Sequence, residues 1–190
     1  MQKIWLIGGS GFIGTEVINK ISNSNFVNLD IKKPHKPINW IKCDINNDLK
    51  RLFKPKKSDT VWIFAAEHKD DVKPIKKYYQ TNVEALKKIV EIIKNADVKK
   101  VLFLSSVAVY GSSNLKMNET HQKKPYNHYG KSKLLAENIL FNWAKTGTHN
   151  NLIIIRPTAV FGPANRGNIF RLFKACVSEY FILPGSGKEK

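Results

Sequence analysis

At 190 residues with 42% hydrophobic side chains, the chain is long enough for one domain with a sizeable core and too apolar to be disordered. Its longest apolar runs fall far short of a bilayer's thickness, and one lysine ahead of the short run Ile4–Ile7 is no signal peptide, so neither a membrane partner nor export is expected. The net charge of +17 invites a nucleic-acid reading, but of the 32 basic residues only Arg51, Arg156, Arg166 and Arg171 are arginines and the lysines are scattered, so a solvated basic surface with no nucleic-acid partner is expected.

The run Ile4 to Ile7 stops at Gly8, and glycines recur at Gly11 and Gly14. Phe12, Ile13, Val17, Ile18 and Ile21 follow at helical spacing. Strand, tight turn and helix in this order can lay a pyrophosphate on helix N-terminal amides. The spacing Gly-x-x-Gly-x-x-Gly departs from Gly-x-Gly-x-x-Gly, so alone it also fits a glycine-rich turn in any α/β protein. Residues 26–30 read as a second strand ending in Asp30, about 20 residues beyond the glycines, where a carboxylate binds ribose hydroxyls and repels a 2′-phosphate. That favours NAD over NADP, although Lys32 and Lys33 soften the preference and a strand-end capping role is the alternative. Trp40 to Lys42 read as a third strand, followed by Cys43-Asp44-Ile45, and Asp48 to Phe53 as one or two helical turns. Residues 60–64 form a buried fourth strand ending at Ala65-Ala66, small enough for a ligand's close approach. His68 near Asp70 and Asp71 hints at metal ligation, but no second histidine stands at ligand spacing, so a polar loop and no metal are expected. Cys43 and Cys176, far apart, read as free thiols of a reducing, cytoplasmic compartment.

Tyr78 to Asn95 read as one long helix, with Val83, Leu86, Ile89, Val90 and Ile93 on a stripe and Asn82 within it, structural or part of a site. Residues 101–104 make a fifth strand running into Ser105-Ser106, residues 112–125 a polar loop, Tyr126 to Lys145 a helix, and residues 152–155 a sixth strand ended by Arg156-Pro157. Apolar strands alternating with helices predict a doubly wound parallel α/β sheet, a Rossmann fold, whose ligands sit beyond the carboxyl ends of the strands. The glycines, Asp30, Ala65-Ala66, Ser106 and Arg156-Pro157 all fall there. Tyr129 and Lys133, at i and i+4, share one helix face. Such a pair is commonly a surface contact, yet an ammonium beside a phenol lowers its pKa from about 10 and suits it to acid–base work.

Together these motifs resemble the extended short-chain dehydrogenase/reductase superfamily in its NAD-dependent epimerase/dehydratase branch, the UDP-galactose 4-epimerase type. The matching residues are Gly8, Gly11 and Gly14 with Phe12 and Ile13 between them, Asp30, Asp44-Ile45, Ala65-Ala66, Asn82-Val83, Ser105-Ser106 with Val109-Tyr110-Gly111, Tyr129 with Lys133, and Arg156-Pro157 with Phe161-Gly162-Pro163. The resemblance implies NAD as cofactor and a nucleotide-sugar substrate. It implies that Tyr129 takes a proton from a sugar hydroxyl, that Lys133 lowers the Tyr129 pKa and holds the nicotinamide ribose, and that Ser106 steadies the hydroxyl and the keto intermediate. Arg156 and Asn168 are expected beside Ser106 at the substrate. Val107 and Ala108 stand where the dehydratases carry Asp-Glu, which disfavours elimination and leaves an epimerase first and a sugar-nucleotide or small-carbonyl reductase second.

The final stretch, Phe181 to Lys190, resembles the family's entry into a hairpin beyond which relatives build a lobe over the sugar. Residues 1–165 are expected to form the NAD-binding domain and 166–190 the start of an incomplete substrate lobe, in a fragment or a shortened protein. A non-catalytic NAD-binding module is the remaining alternative. A homodimer through the helices carrying Asn82 and Tyr129 is expected.

Overall fold

A computed structural model of the chain describes residues 2–21, 25–69, 72–112, 117–163, 165 and 167–178. Its centre is a six-stranded parallel sheet in the order β3-β2-β1-β4-β5-β6. The strands are β1 (Ile4–Ile7), β2 (Phe26–Asp30), β3 (Asn39–Lys42), β4 (Thr60–Ile63), β5 (Lys100–Leu104) and β6 (Asn151–Ile155). The central pairs run in register, Ile7 beside Leu29 on one side and Ile63 on the other. Parallel strands need long crossovers, and helices supply them. They are α1 (Phe12–Lys20), α2 (Leu49–Leu52), α3 (Lys76–Tyr79), α4 (Ala85–Asn95) and α5 (His128–Lys145), with a loop alone joining β2 to β3 and a further helix, α6 (Asn168–Val177), after β6.

The larger core lies under α4 and α5. Ile7, Leu29, Val61, Ile63 and Phe103 of the sheet meet Leu86, Ile89 and Ile93 of α4 and Ala136, Leu140 and Trp143 of α5. Full burial of each large aliphatic contributes roughly 1.5–3 kcal/mol. On the opposite face α1 packs Ile18 against Leu6 and Phe26. Among the described residues no helix is long and apolar enough to cross a membrane.

Three elements differ from the sequence reading. The expected helix 78–95 is α3 and α4 joined through a π-helical turn, Gln80–Glu84, which turns Asn82 inward to 4% exposure. Such single turns inside an α-helix mark local demands on a side chain's direction. Helix α5 begins at His128 rather than Tyr126, because Asn127 is extended (φ −102°, ψ 166°) and its side chain accepts a hydrogen bond from the Gly130 amide at 2.7 Å. Helix α6, with Phe170, Leu172 and Phe173 exposed, had no counterpart in the sequence reading. The expected hairpin entry at Phe181 to Lys190, and the acids Asp70 and Asp71, lie outside the described residues.

Candidate active site

The strand order reverses between β1 and β4, and there the carboxyl ends open a crevice. The loop leaving β1 forms its floor. Gly8 is left-handed (φ +85°), and a Cβ on it would strike the Ala65 backbone. Gly14 lies in α1 directly over the loop, where a Cβ would sit 2.5 Å from the Gly9 carbonyl oxygen. Glycine at position 8 lets the loop pass against the end of β4, and glycine at position 14 lets α1 lie close on the loop. Gly11 caps α1 without a side-chain acceptor on the helix's first amides, which leaves them for an anion.

Polar side chains from β2 tie this loop down. The Asn28 Oδ1 accepts from the Gly9 amide at 3.0 Å, and its Nδ2 donates to Ser10 Oγ at 3.0 Å. Asp30 accepts from the Ser10 amide at 2.9 Å and from the Lys32 amide at 2.8 Å. Asn28 is fully buried and was missed by the sequence reading. Its signal was a lone amide inside the apolar run of residues 26–29.

Two cavities adjoin across the loop. The first, ≈ 370 Å³, lies between Gly8, Gly11, Asp30, the Cys43-Asp44-Ile45 turn and Ala65-Ala66. Asp44 accepts bonds from the Asn46 amide at 2.9 Å and from Asn47 Nδ2 at 3.1 Å, which shape that turn. Burial pushes the Cys43 thiol up to about 11, with Asp48 and Asp44 adding to the shift. The second cavity, ≈ 280 Å³, lies between Phe12, Ile13, Gly14, Ser106, Tyr129 and Lys133. Gly8, Gly11, Phe64, Ala66 and His68 belong to both.

In the second cavity the reactive groups converge. Ser106 caps a 3₁₀ turn, Val107–Val109, its Oγ accepting from the Ala108 amide at 3.2 Å. Burial pushes the Tyr129 phenol above its ordinary 10.0, and a hydrogen bond with the Ser106 hydroxyl works the other way. Lys133, 1% exposed, donates from Nζ to the Leu104 carbonyl at 2.6 Å and lies 4.1 Å from the centre of the Phe103 ring. Burial lowers its pKa from 10.5 to about 7, against the pull of Glu137. The sequence led us to expect Lys133 to lower the Tyr129 pKa. In the structure its Nζ is held by Leu104 and Phe103, and the Ser106 hydroxyl is the group that favours the phenolate.

Two further expectations are redirected. Arg156 lines neither cavity. It makes a two-pronged pair with Glu137, Nε to Oε1 and Nη2 to Oε2, both at 2.8 Å, while Nη1 donates to the Tyr110 hydroxyl at 2.6 Å. Asn82 lines neither cavity as well. It accepts from the Glu67 amide at 2.8 Å and donates to the Glu67 carbonyl at 3.0 Å and to Ser132 Oγ at 2.9 Å, clamping the β4 loop to α5. Asn168 is the first residue of α6. Glu137, which sequence reading did not single out, lies i+4 from Lys133 and i+8 from Tyr129 on the same helix ridge.

These residues fit a dinucleotide. The first cavity offers a carboxylate at the ribose position, the loop offers free helix amides, and the second offers a phenol, a hydroxyl and the Lys133 amine in contact range of the same space.

Comparison with known proteins agrees. N-acetyl-alpha-D-glucosaminyl-diphospho-ditrans,octacis-undecaprenol 4-epimerase of Escherichia coli O157:H7 is 40% identical over 189 residues, which are 98% of this chain and 57% of that protein. UDP-glucose 4-epimerase of Lactobacillus helveticus is 28% identical over 181 residues, 88% of this chain and 54% of that protein. The solved structure of MoeE5 in complex with UDP-glucose and NAD superposes with a TM-score of 0.78 at 28% identity, over 91% of this chain and 60% of that one. The chain spans little more than half the length of the curated relatives it matches. The sequence model of the NAD dependent epimerase/dehydratase family matches residues 4–190, and the chain is a member of that family.

Proposed function

We propose that the chain supplies the NAD-binding and proton-transfer half of a 4-epimerase acting on a nucleotide sugar. The observation that carries this reading is the meeting of Ser106, Tyr129 and Lys133 in one cavity continuous with the glycine loop. Residues 1–165 are the NAD-binding domain and residues 166–190 the start of a substrate lobe. Gly8, Gly11, Phe12, Ile13 and Gly14 receive the diphosphate, Asp30 the adenosine ribose, and Asp44, Ile45, Ala65 and Ala66 wall the adenine end. Bound NAD supplies the hydride acceptor and, after the sugar turns over, the hydride donor. Tyr129 accepts the proton of the sugar hydroxyl and returns it, Ser106 orients that hydroxyl, and Lys133 sets the charge beside them. The buried Cys43 and exposed Cys176, both free, suit a reducing cytoplasm.

The test is the purified chain with NAD and UDP-N-acetylglucosamine. Tyr129→Phe keeps NAD affinity and loses 10²–10⁴-fold in hydride exchange, the usual share of a positioned acid–base group. A Tyr129→Phe protein with full exchange overturns the assignment, and NAD binding with no exchange in the wild-type chain supports a binding module instead.

A second reading has its own observation. The 40% identical relative is named for a sugar on an undecaprenyl diphosphate, whereas the UDP-glucose 4-epimerase is 28% identical. A sugar diphosphate presented on a polyprenol would use the same Tyr129 chemistry. Turnover of the polyprenyl-linked sugar in detergent, with none of the UDP sugar, decides for this reading.

A further inference from the structure

Glu137 is fully buried on α5, yet it is an acid. A buried carboxylate is costly unless it is paired and hydrogen-bonded, and every partner of this one comes from a strand end at the site. Its Oε1 accepts from Ser105 Oγ at 2.7 Å, next in sequence to Ser106. Both oxygens accept from Arg156, which immediately precedes Pro157, a wall of the second cavity. Arg156 in turn holds Tyr110, beyond the 3₁₀ turn that Ser106 caps, by a 2.6 Å hydrogen bond and by a ring contact at 5.1 Å. One helical turn back along the ridge is Lys133, and another turn back is Tyr129.

We propose that Glu137 is a positioning residue of the active site, its carboxylate joining the β5 end that carries Ser106, the β6 end that carries Pro157 and the Tyr129–Lys133 ridge of α5 into one fixed arrangement. The inference rests on the functional reading above only for what that arrangement does. The charged and titratable groups facing this point are few. They are Lys133 and Tyr129 from α5, Arg156 from the β6 end and Tyr110 from beyond the 3₁₀ turn, with the Ser105 hydroxyl, the Leu104 carbonyl and the Phe103 ring from β5. Glu137 is the sole anion among these described groups, and it favours the protonated form of Lys133. A neutral amide of the same shape keeps the packing and withdraws that support.

The experiment compares Glu137→Gln with Glu137→Asp in the full chain. The titration midpoint of Lys133 is read from its side-chain carbon resonance, assigned by its loss in Lys133→Arg. The Tm and the NAD affinity are measured alongside. Both variants lower the Tm. Glu137→Gln also lowers the Lys133 midpoint by about one pH unit, a tenfold weaker hold on the proton, and weakens NAD binding, whereas Glu137→Asp keeps the midpoint. Equal midpoints in wild type and Glu137→Gln, or an equal fall in both variants, overturn the proposal and leave Glu137 a packing residue. A wild-type chain that binds no NAD defeats the functional reading alone, since the midpoint comparison needs no ligand.

Discussion

Lys133 shows how the site's chemistry opposes the fold's stability. Its folded pKa, about 7, lies below the ordinary 10.5. Between those values the unfolded chain binds the proton and the folded chain does not, so stability rises with pH across that window. The cost of burying the charge is complete below about pH 7 and is relieved as pH climbs toward 10.5. Lys133→Met therefore stabilises the fold by on the order of 1 kcal/mol at pH 6. The gain shrinks by pH 9.5, and the proposed hydride exchange is lost. Urea unfolding at the two pH values checks the sign, and a variant less stable at pH 6 than the wild type contradicts it. The placing of Gly8, Asp30, Ser106, Tyr129 and Lys133 around the crevice was legible because each falls at a strand's carboxyl end or on one face of a helix. Arg156 was singled out at its strand end, but its pairing with Glu137 was not legible, because that contact joins a strand end to a helix interior and no local spacing encodes it. Asn28 was visible as an anomaly, an amide in an apolar strand, but its partner in the glycine loop was not.

At the scale of elements, the strands were legible from apolar runs, which in β1 and β2 are buried on both faces as a parallel sheet requires, whereas the edge strand β6 leaves Ile153 and Ile155 52% and 43% exposed. Helix α4 was legible from its stripe of Leu86, Ile89 and Ile93. The π turn was hidden because one extra residue per turn leaves an apolar stripe almost unbroken. Its direction is decided by the Asn82 bonds to Glu67 and Ser132, contacts made after the chain has folded. The start of α5 was misplaced by two residues because Tyr126 continues an apolar periodicity that the Asn127 cap overrides. That cap aims the first turn of the helix, two residues ahead of Tyr129. Asn127→Ala costs about 1 kcal/mol, seen as a lower urea midpoint with unchanged slope, and a loss under a few tenths would mean that the cap is dispensable.

For the whole molecule, each strand lies beside the one before it except β4, which returns to the other side of β1, and the site follows from that reversal of order between β1 and β4. What pattern alone could not place is which helix faces remain open. Leu135 and Phe141 on α5 stay 44% and 40% exposed, and we propose, as the sequence led us to expect, a homodimer through the helices that carry Asn82 and Tyr129. Phe141→Lys then shifts the chain from dimer to monomer in sedimentation velocity with its Tm kept, and a wild-type chain monomeric at micromolar concentration removes the dimer. The narrow meeting of the two cavities at Gly8, Gly11, Phe64, Ala66 and His68 has a consequence for recognition. Each half of a dinucleotide, once seated, holds the other at a high effective concentration over its own cavity, so affinity resides in the tether rather than in either half. A mononucleotide seated in the first cavity forgoes that advantage and exchanges quickly. The intact cofactor dissociates more slowly than either half, as the proposed return of the hydride to the same sugar would require.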